Sequence, residues 1–432
     1  MQRSADLKHG RSGLSDLSWS PWRAVIGFGV VSLSADMVYE GARSISGPLL
    51  ASLGASAVLV GLITGAGEAM ALLLRVIFGS WADRTGRYWT ITYAGYAVTA
   101  VCVPLLAITP FLAGAGLAVA CSLILAERFG KAVRSPAKSA LLAHAAGPVG
   151  LGRGMGVHKA LDQVGAVSGP LLVAAVAGVT GMLWPALAIL IIPGIAALLV
   201  LAWVRHRMGD PASPPPQSPA ELSANASVEK PRRPNRRLLI GHRLPAAFWL
   251  FASAAGAATA GLVTFGVIAY HLTTDRVVPV ATIPLIYAAA MAAEAVAALA
   301  TGSVFDRIKG RTLIVLPFLV AAVPALAFSP SPQVAILGVL IWGTAMGIQD
   351  STVKALVADL VPSTKRATAY GVFAAVQGAA AIVGGAMAGA LYQHSLPTLI
   401  VVVALIQVGA LVLLLVTLRW SAQDAGTAPR SG

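Results

Sequence analysis

Charged side chains in this chain stand at helical spacing inside stretches that are otherwise apolar. Asp36, Glu40 and Arg43 occupy i, i+4 and i+7, one face of a helix. Glu68 is followed two turns on by Arg75. The run AERFGKAVRSPAK sets Glu127, Lys131 and Arg134 on one face, with Arg128 off it and Pro136 placed to kink the helix. Asp162 lies one turn from His158, Glu294 is a lone acid, and Asp350 and Lys354 form another i, i+4 pair ahead of Asp359. A Lys, Arg or Asp at the centre of a membrane helix costs about 2.5–3.5 kcal/mol even on a lenient insertion scale, so each must face a cavity or a partner. Asp36, Glu40 and Glu68, three acids against Arg43 and Arg75 at similar depth, are expected to carry protons, with Asp162 as a further candidate. Arg43, Arg75, Glu127, Arg128, Lys131, Arg134, Glu294, Asp350 and Lys354 are expected to line a cavity. The alternative for Glu127 with Lys131, and for Asp350 with Lys354, is an internal pair that only holds helices together. The chain contains no H-E-x-x-H, G-x-S-x-G or carboxylate–metal constellation and no G-x-x-x-x-G-K-[ST] loop for ATP. An enzyme is therefore not expected, nor a metal or other cofactor.

The elements that must position these charges follow from composition. Of 432 residues, 57% are hydrophobic and 11% charged, with mean hydropathy +0.79; soluble domains carry about 25% charged residues. An all-α integral membrane protein is the expectation. A span needs roughly 20 apolar residues, and twelve candidates occur: 23–50, 57–80, 90–109, 111–134, 155–179 and 184–204, then 245–271, 280–302, 312–328, 333–361, 367–392 and 397–418. Residues 1–22 form a polar tail with no leader peptide expected, and 419–432 a second tail. Residues 205–244 are rich in proline, then in arginine (Arg232, Arg233, Arg236, Arg237, Arg243), and are expected to be a flexible linker between halves 23–204 and 245–418. The net charge of +14 does not indicate nucleic acid, because the cations gather in alternate loops. Arg3, Lys8, Arg11, Arg84, Arg87, Arg153, Arg307, Lys309, Arg311, Lys365, Arg366 and Arg419 fall on one side and Arg276 on the other. The positive-inside rule then sets both termini and the linker in the cytoplasm, with the chain in the inner or plasma membrane. Cys102 and Cys121 lie within spans and read as small packing residues.

The halves are related. Gly79, Asp83, Arg84, Gly86 and Arg87 of GSWADRTGRYW return as Gly302, Asp306, Arg307, Gly310 and Arg311 of GSVFDRIKGR. Ala140, Leu141, Ala143, Gly156, Val157 and Gly169 recur as Ala355, Leu356, Ala358, Gly371, Val372 and Gly384 at one constant offset. The G-x-x-x-D-R-x-G-R pattern, repeated between spans, resembles the signature loop of the major facilitator superfamily. The resemblance covers the chain apart from tails and linker, and implies two pseudo-symmetric six-helix halves around a central cavity lined by spans one, four, seven and ten. It also implies that Gly79, Asp83, Arg84, Gly86 and Arg87, with Gly302, Asp306 and Arg307, form a cytoplasmic gate. In that gate the first loop latches onto the eleventh span near Ala367 to Tyr370 when the cavity faces outward. Tyr88 departs from the pattern, standing where a basic residue is usual. GAVSGP, with Gly165, Gly169 and Pro170, resembles part of the drug–proton antiporter motif, in which small residues permit tight packing and a kink. YEGARSISGP and ERFGKAVRSPAK resemble a subgroup of bacterial permeases. The resemblance implies a secondary transporter moving a small organic solute by alternating access, with proton-coupled efflux as the first expectation. An importer of an organic anion, or a transport-inactive receptor with this fold, is the alternative. Lipid, protons and a solute bearing an acidic group are the expected partners, and the chain is expected to act as a monomer.

Overall fold

A computed structural model describes residues 19–208, 244–362 and 365–427. The side chains of Asp306, Lys354, Ala355, Ala358, Ala367 and 421–427 lie outside that description, as do the linker arginines 232–243. Most of the described residues are helical, because a backbone crossing hydrocarbon must satisfy its hydrogen bonds within its own segment. Twelve helical segments are long and apolar enough to span: Pro21–Ser52, Ala57–Thr85, Tyr88–Phe111, Ala113–Val149, Leu151–Thr180, Leu183–Met208, Ala246–Thr274, Val280–Phe305, Lys309–Ala327, Pro332–Val353, Thr368–His394 and Leu396–Trp420. They are numbered here in chain order. Both described ends and the exits at residues 208 and 244 share one face, called the linker face below.

Local chemistry sets the ends. Ser56 caps the second span by accepting from the Leu59 amide at 3.2 Å. Gly86 closes that span at φ +63°, in the left-handed region that a Cβ disfavours. In the second copy of the loop the inserted Lys309 takes the positive φ, +54°, beside Gly310.

Two expected boundaries are corrected. The fourth span does not stop near residue 134; its α-helix runs over Gly116–Ala146. The cations that suggested an interface lie inside the bundle, Arg134 on Thr99 and the Tyr96 ring and Lys131 over the Tyr39 ring, although neither has a carboxylate partner among the described residues. The seventh span is not one rod: it breaks between Gly261 and Phe265. Trp342 of the tenth span donates its indole N–H to the freed Val263 carbonyl at 2.8 Å, which keeps the break satisfied within the membrane.

Helix pairing gives the internal symmetry. The first span packs on the fifth and sixth as the seventh packs on the eleventh and twelfth; the second and third pack on the fourth as the eighth and ninth pack on the tenth. Between the halves the second meets the eleventh, the fifth meets the eighth, and the first meets the seventh. Gly169 lies so close to the first span that a methyl there would overlap the Met37 carbonyl oxygen. Gly384, its repeat partner, stands in the same relation to Ala260 of the seventh span.

The interface between halves opens toward the linker face. A methyl at Gly385 would overlap the Gly61 carbonyl oxygen, and one at Gly389 that of Ala57. Further along the same two spans a methyl at Gly378 would stand 3.1 Å from Leu73, and one at Gly371 3.9 Å from Val76. The spans touch backbone to backbone at the far face and diverge toward the linker face.

Candidate functional site

The divergence leaves a cavity of about 370 Å³ between the halves, within the size range of small-molecule sites. From the amino-terminal half it is lined by Asp36, Tyr39, Glu40, Arg43, Glu68, Arg75, Lys131, Arg134, Lys138, Lys159 and Asp162; from the other half by Thr259, Thr264, Glu294, Trp342, Gln349, Asp350 and Gln377.

The first, second, fourth and eighth spans are tied together by one lattice. Arg43 pairs with Glu68 at 2.8 Å and lies 3.7 Å from Glu40. The Tyr287 hydroxyl of the eighth span donates to Glu40, joining the two halves. Arg128 stands 3.5 Å from Glu68 and 3.6 Å from Glu127. Tyr39 offers its ring to Lys131 at 3.5 Å and to Arg128 at 4.4 Å, a favourable use of two cations in a poorly hydrated place. Arg134 donates to Thr99 and lies 4.7 Å from the Tyr96 ring centroid. Nearer the linker face, Lys138 donates to Ser32 at 2.9 Å and stands 3.3 Å from His158. Lys159 pairs with Asp162 at 2.8 Å. Asp36 of the first span and Asp162 of the fifth both reach the cavity wall.

The expected residues therefore divide. Asp36, Glu40, Arg43, Glu68, Arg75, Lys131, Arg134, Asp162, Glu294 and Asp350 are brought to the cavity. Glu127 and Arg128 are not on its wall: 5% and 6% exposed, they sit behind it against Tyr39. Glu127 takes Arg128, not Lys131, as its partner, and Glu68 takes Arg43 and Arg128, not Arg75. Arg128 is thus not off the charged face but at the lattice's centre, because its long side chain reaches back past Gly67. Lys131 and Arg134 lie within the bundle, well short of the helix end at Ala146. The side chains of Lys354 and Asp306 fall outside the described residues.

Lys138, Lys159 and Tyr287 are lining or lattice residues that the sequence did not single out. Lys138 lies one turn beyond Arg134 and Lys159 one turn before Asp162, so helical spacing alone could have added both. Nothing in sequence ties Tyr287 to Glu40.

In the loop after the second span, Asp83 is exposed and accepts from the Tyr88 hydroxyl at 3.2 Å. The residue that departs from the family pattern is thus the partner Asp83 uses here. Arg84, Arg87 and Arg307 are exposed. Gly79 was expected to admit a close helix, yet a methyl there would stand 3.6 Å from Pro136 of its own half, and one at Gly302 would meet nothing within 4 Å. With the linker face open, Gly79 and Gly302 admit no close helix from the opposite half among the described residues. Gly165 and Gly169 do pack tightly, against the backbone at Leu33 and Met37, and Pro170 is carried inside an unbroken helix.

A bundle of twelve spans in two related halves, with a charged cavity between them, defines the class of secondary active transporters. The family model of the Major Facilitator Superfamily matches residues 28–385 and 251–430, and the chain belongs to that family. An uncharacterized protein of Mycobacterium tuberculosis is 49% identical over 415 residues, covering 96% of this chain and 97% of the relative. An uncharacterized MFS-type transporter of Methanocaldococcus jannaschii is 24% identical, covering 85% and 88%. Among solved structures, the peptide transporter POT in complex with sulfate superposes with a TM-score of 0.68 at 15% identity, covering 93% of this chain and 94% of that one. A bacterial homolog of the human lysosomal transporter Spinster, in an inward-facing and unoccupied conformation, superposes with a TM-score of 0.62 at 16% identity, covering 95% and 97%.

Proposed function

We propose that this protein is a proton-coupled exporter of a small organic solute in the cell membrane, with the linker face cytoplasmic. The orientation follows from charge: among described residues Arg84, Arg87, Arg153, Arg205, Arg307, Arg311, Lys365 and Arg366 gather at the linker face, against Arg276 on the other. The structure then corresponds to the state that loads from the cytoplasm.

The observation that carries proton coupling is the facing pair Asp36 and Asp162 in the cavity wall. Two acids lining one cavity from neighbouring spans repel when both are ionised, which makes the pair a natural place for a proton to bind. A solute entering beside them changes that balance, which is what linking solute to proton requires. Glu40 and Glu68 serve less well as the moving site, since Arg43, Arg128 and Tyr287 already hold them, whereas Asp36 has no cation at ion-pair distance among the described residues and the Lys159 that pairs with Asp162 is largely exposed. Efflux is favoured over uptake by the partial antiporter motif at Gly165, Gly169 and Pro170, whose glycines press the fifth span onto the first beside this pair.

The test is transport in proteoliposomes under an imposed pH gradient. Wild type is expected to move solute against the proton flow. Asp36→Asn and Asp162→Asn are each expected to abolish the gradient-driven component while keeping solute exchange, which needs no net proton transfer. Retention of full gradient-driven movement in both variants would overturn the assignment.

A further inference from the structure

The two walls of the cavity differ in charge. From the amino-terminal half come Asp36, Glu40, Glu68 and Asp162 against Arg43, Arg75, Lys131, Arg134, Lys138 and Lys159; from the other half, among the described residues, come Glu294 and Asp350 with no cation. Pairing within the wall sharpens the contrast. Arg43 and Lys159 have carboxylate partners, whereas Arg75, Lys131, Arg134 and Lys138 have none within ion-pair distance among the described residues. Among the described residues Glu294 and Asp350 have no cation at that distance either. Two unsatisfied atoms mark the same poles. Among the described residues the buried Arg75 Nε–H has no acceptor, and on the facing wall the buried Gln349 Oε1, next to Asp350, has no donor. Thr259 holds the other end of that amide, accepting from Nε2 at 2.9 Å.

We infer that the cavity selects a dipolar solute, one bearing an acidic group that docks at Arg75 and Lys131 and a cationic amine that docks at Glu294 and Asp350. The inference rests on reading the cavity as the solute's site, and it extends the expected acidic solute by a second, opposite charge. Unpaired charges of both signs in a membrane cavity are costly. A solute with both charges relieves both walls at once. A simple anion neutralises the cationic wall but brings like charge toward Glu294 and Asp350, and a simple amine does the reverse; that penalty makes the site selective. Because the poles belong to different halves, a bound dipolar solute also draws the second and fourth spans toward the eighth and tenth. The halves part toward the open face, as the second and eleventh spans show, so occupancy favours its closure.

Binding to the purified full chain in detergent, with no gradient present, tests this separately from proton coupling. The probes are ω-aminoalkanoates with three to seven methylenes, compared with alkanoates and alkylamines of equal length, read by thermal shift and by titration calorimetry. One chain length among the ω-aminoalkanoates is expected to bind at least roughly tenfold tighter than both singly charged counterparts, the scale of one well-placed charge pair. Asp350→Asn should remove its advantage over the alkanoate, and Arg75→Gln its advantage over the alkylamine, each with unliganded melting near wild type. If either variant melts early, Glu294→Gln and Lys131→Gln replace them. Equal binding of the dipolar and singly charged probes, or no binding of any ω-aminoalkanoate, overturns the inference. It also fails if the variants alter melting or accessibility while leaving probe preference intact, since Arg75 and Asp350 would then serve only each other as a gate. Full gradient-driven transport retained in Asp36→Asn and Asp162→Asn, with the dipolar preference intact, refutes the proton-coupling proposal and leaves this one standing.

Discussion

Arg128 shows how far a residue's role depends on what lies behind it. On a helical wheel it sits apart from Glu127, Lys131 and Arg134, yet it is the cation that Glu68 and Glu127 share, and it stacks on Tyr39. Removing one member of a buried pair leaves the other uncompensated, at about 3–5 kcal/mol. Arg128→Ala is therefore expected to lower the melting temperature sharply and to reduce yield. Lys159, whose side chain is 67% exposed in its pair with Asp162, belongs to the class of pairs worth about 0–1 kcal/mol. Lys159→Ala should melt within a degree or two of wild type. Thermal unfolding of both variants in one detergent checks the contrast; equal loss would mean that Arg128 is as dispensable as a surface partner.

At the scale of the helices, the second and eleventh spans are held by backbone contact at the far face, where Gly61 meets Gly385 and Ala57 meets Gly389. Small residues let van der Waals packing close such a seam where lipid offers no hydrophobic drive. Gly385→Ala must push these spans apart and so disfavour the linker-open state. In a background with Cys102 and Cys121 replaced by Ser, a cysteine at the cavity position Ala166 should then label more slowly from the linker face. Gly409→Ala is the control: a methyl there meets nothing within 4 Å, and melting and labelling should match wild type. Unchanged labelling in Gly385→Ala would show that the seam does not set the conformational balance.

For the whole molecule, the open linker face explains why the partner of Asp83 among the described residues lies in its own loop. Asp83 rests on Tyr88, five residues away in its own loop; Gly79 faces only Pro136 of its own half, and Gly302 stands clear. If the loop latches only in the opposite state, Asp83→Asn destabilises that state alone. The expected outcome is slower transport and faster labelling of the Ala166 cysteine from the linker face, with membrane insertion and melting near wild type. Normal transport and accessibility in that variant would remove the latch from the cycle.

The membrane class, the twelve spans and the pairing of halves were legible from residues alone. Twenty-residue apolar runs, one-sided Arg and Lys, and the return of Gly79 to Arg87 as Gly302 to Arg311 each report a constraint that acts along the chain. Most cavity charges were legible for the same reason, since burying a charge in hydrocarbon is costly wherever it occurs. Partner choice was not. Glu68 could reach for Arg75 on its own helix, but Arg43 and Arg128 are nearer once the first, second and fourth spans pack. Tyr287 meets Glu40 only because the first and eighth spans converge. The fourth span's true length was hidden because Arg134 resembles an interface residue until Thr99 and Tyr96 receive it. The difference between the walls is likewise tertiary: helical spacing says which charges share a helix, but only packing decides which wall each helix builds and which charges remain unpaired there.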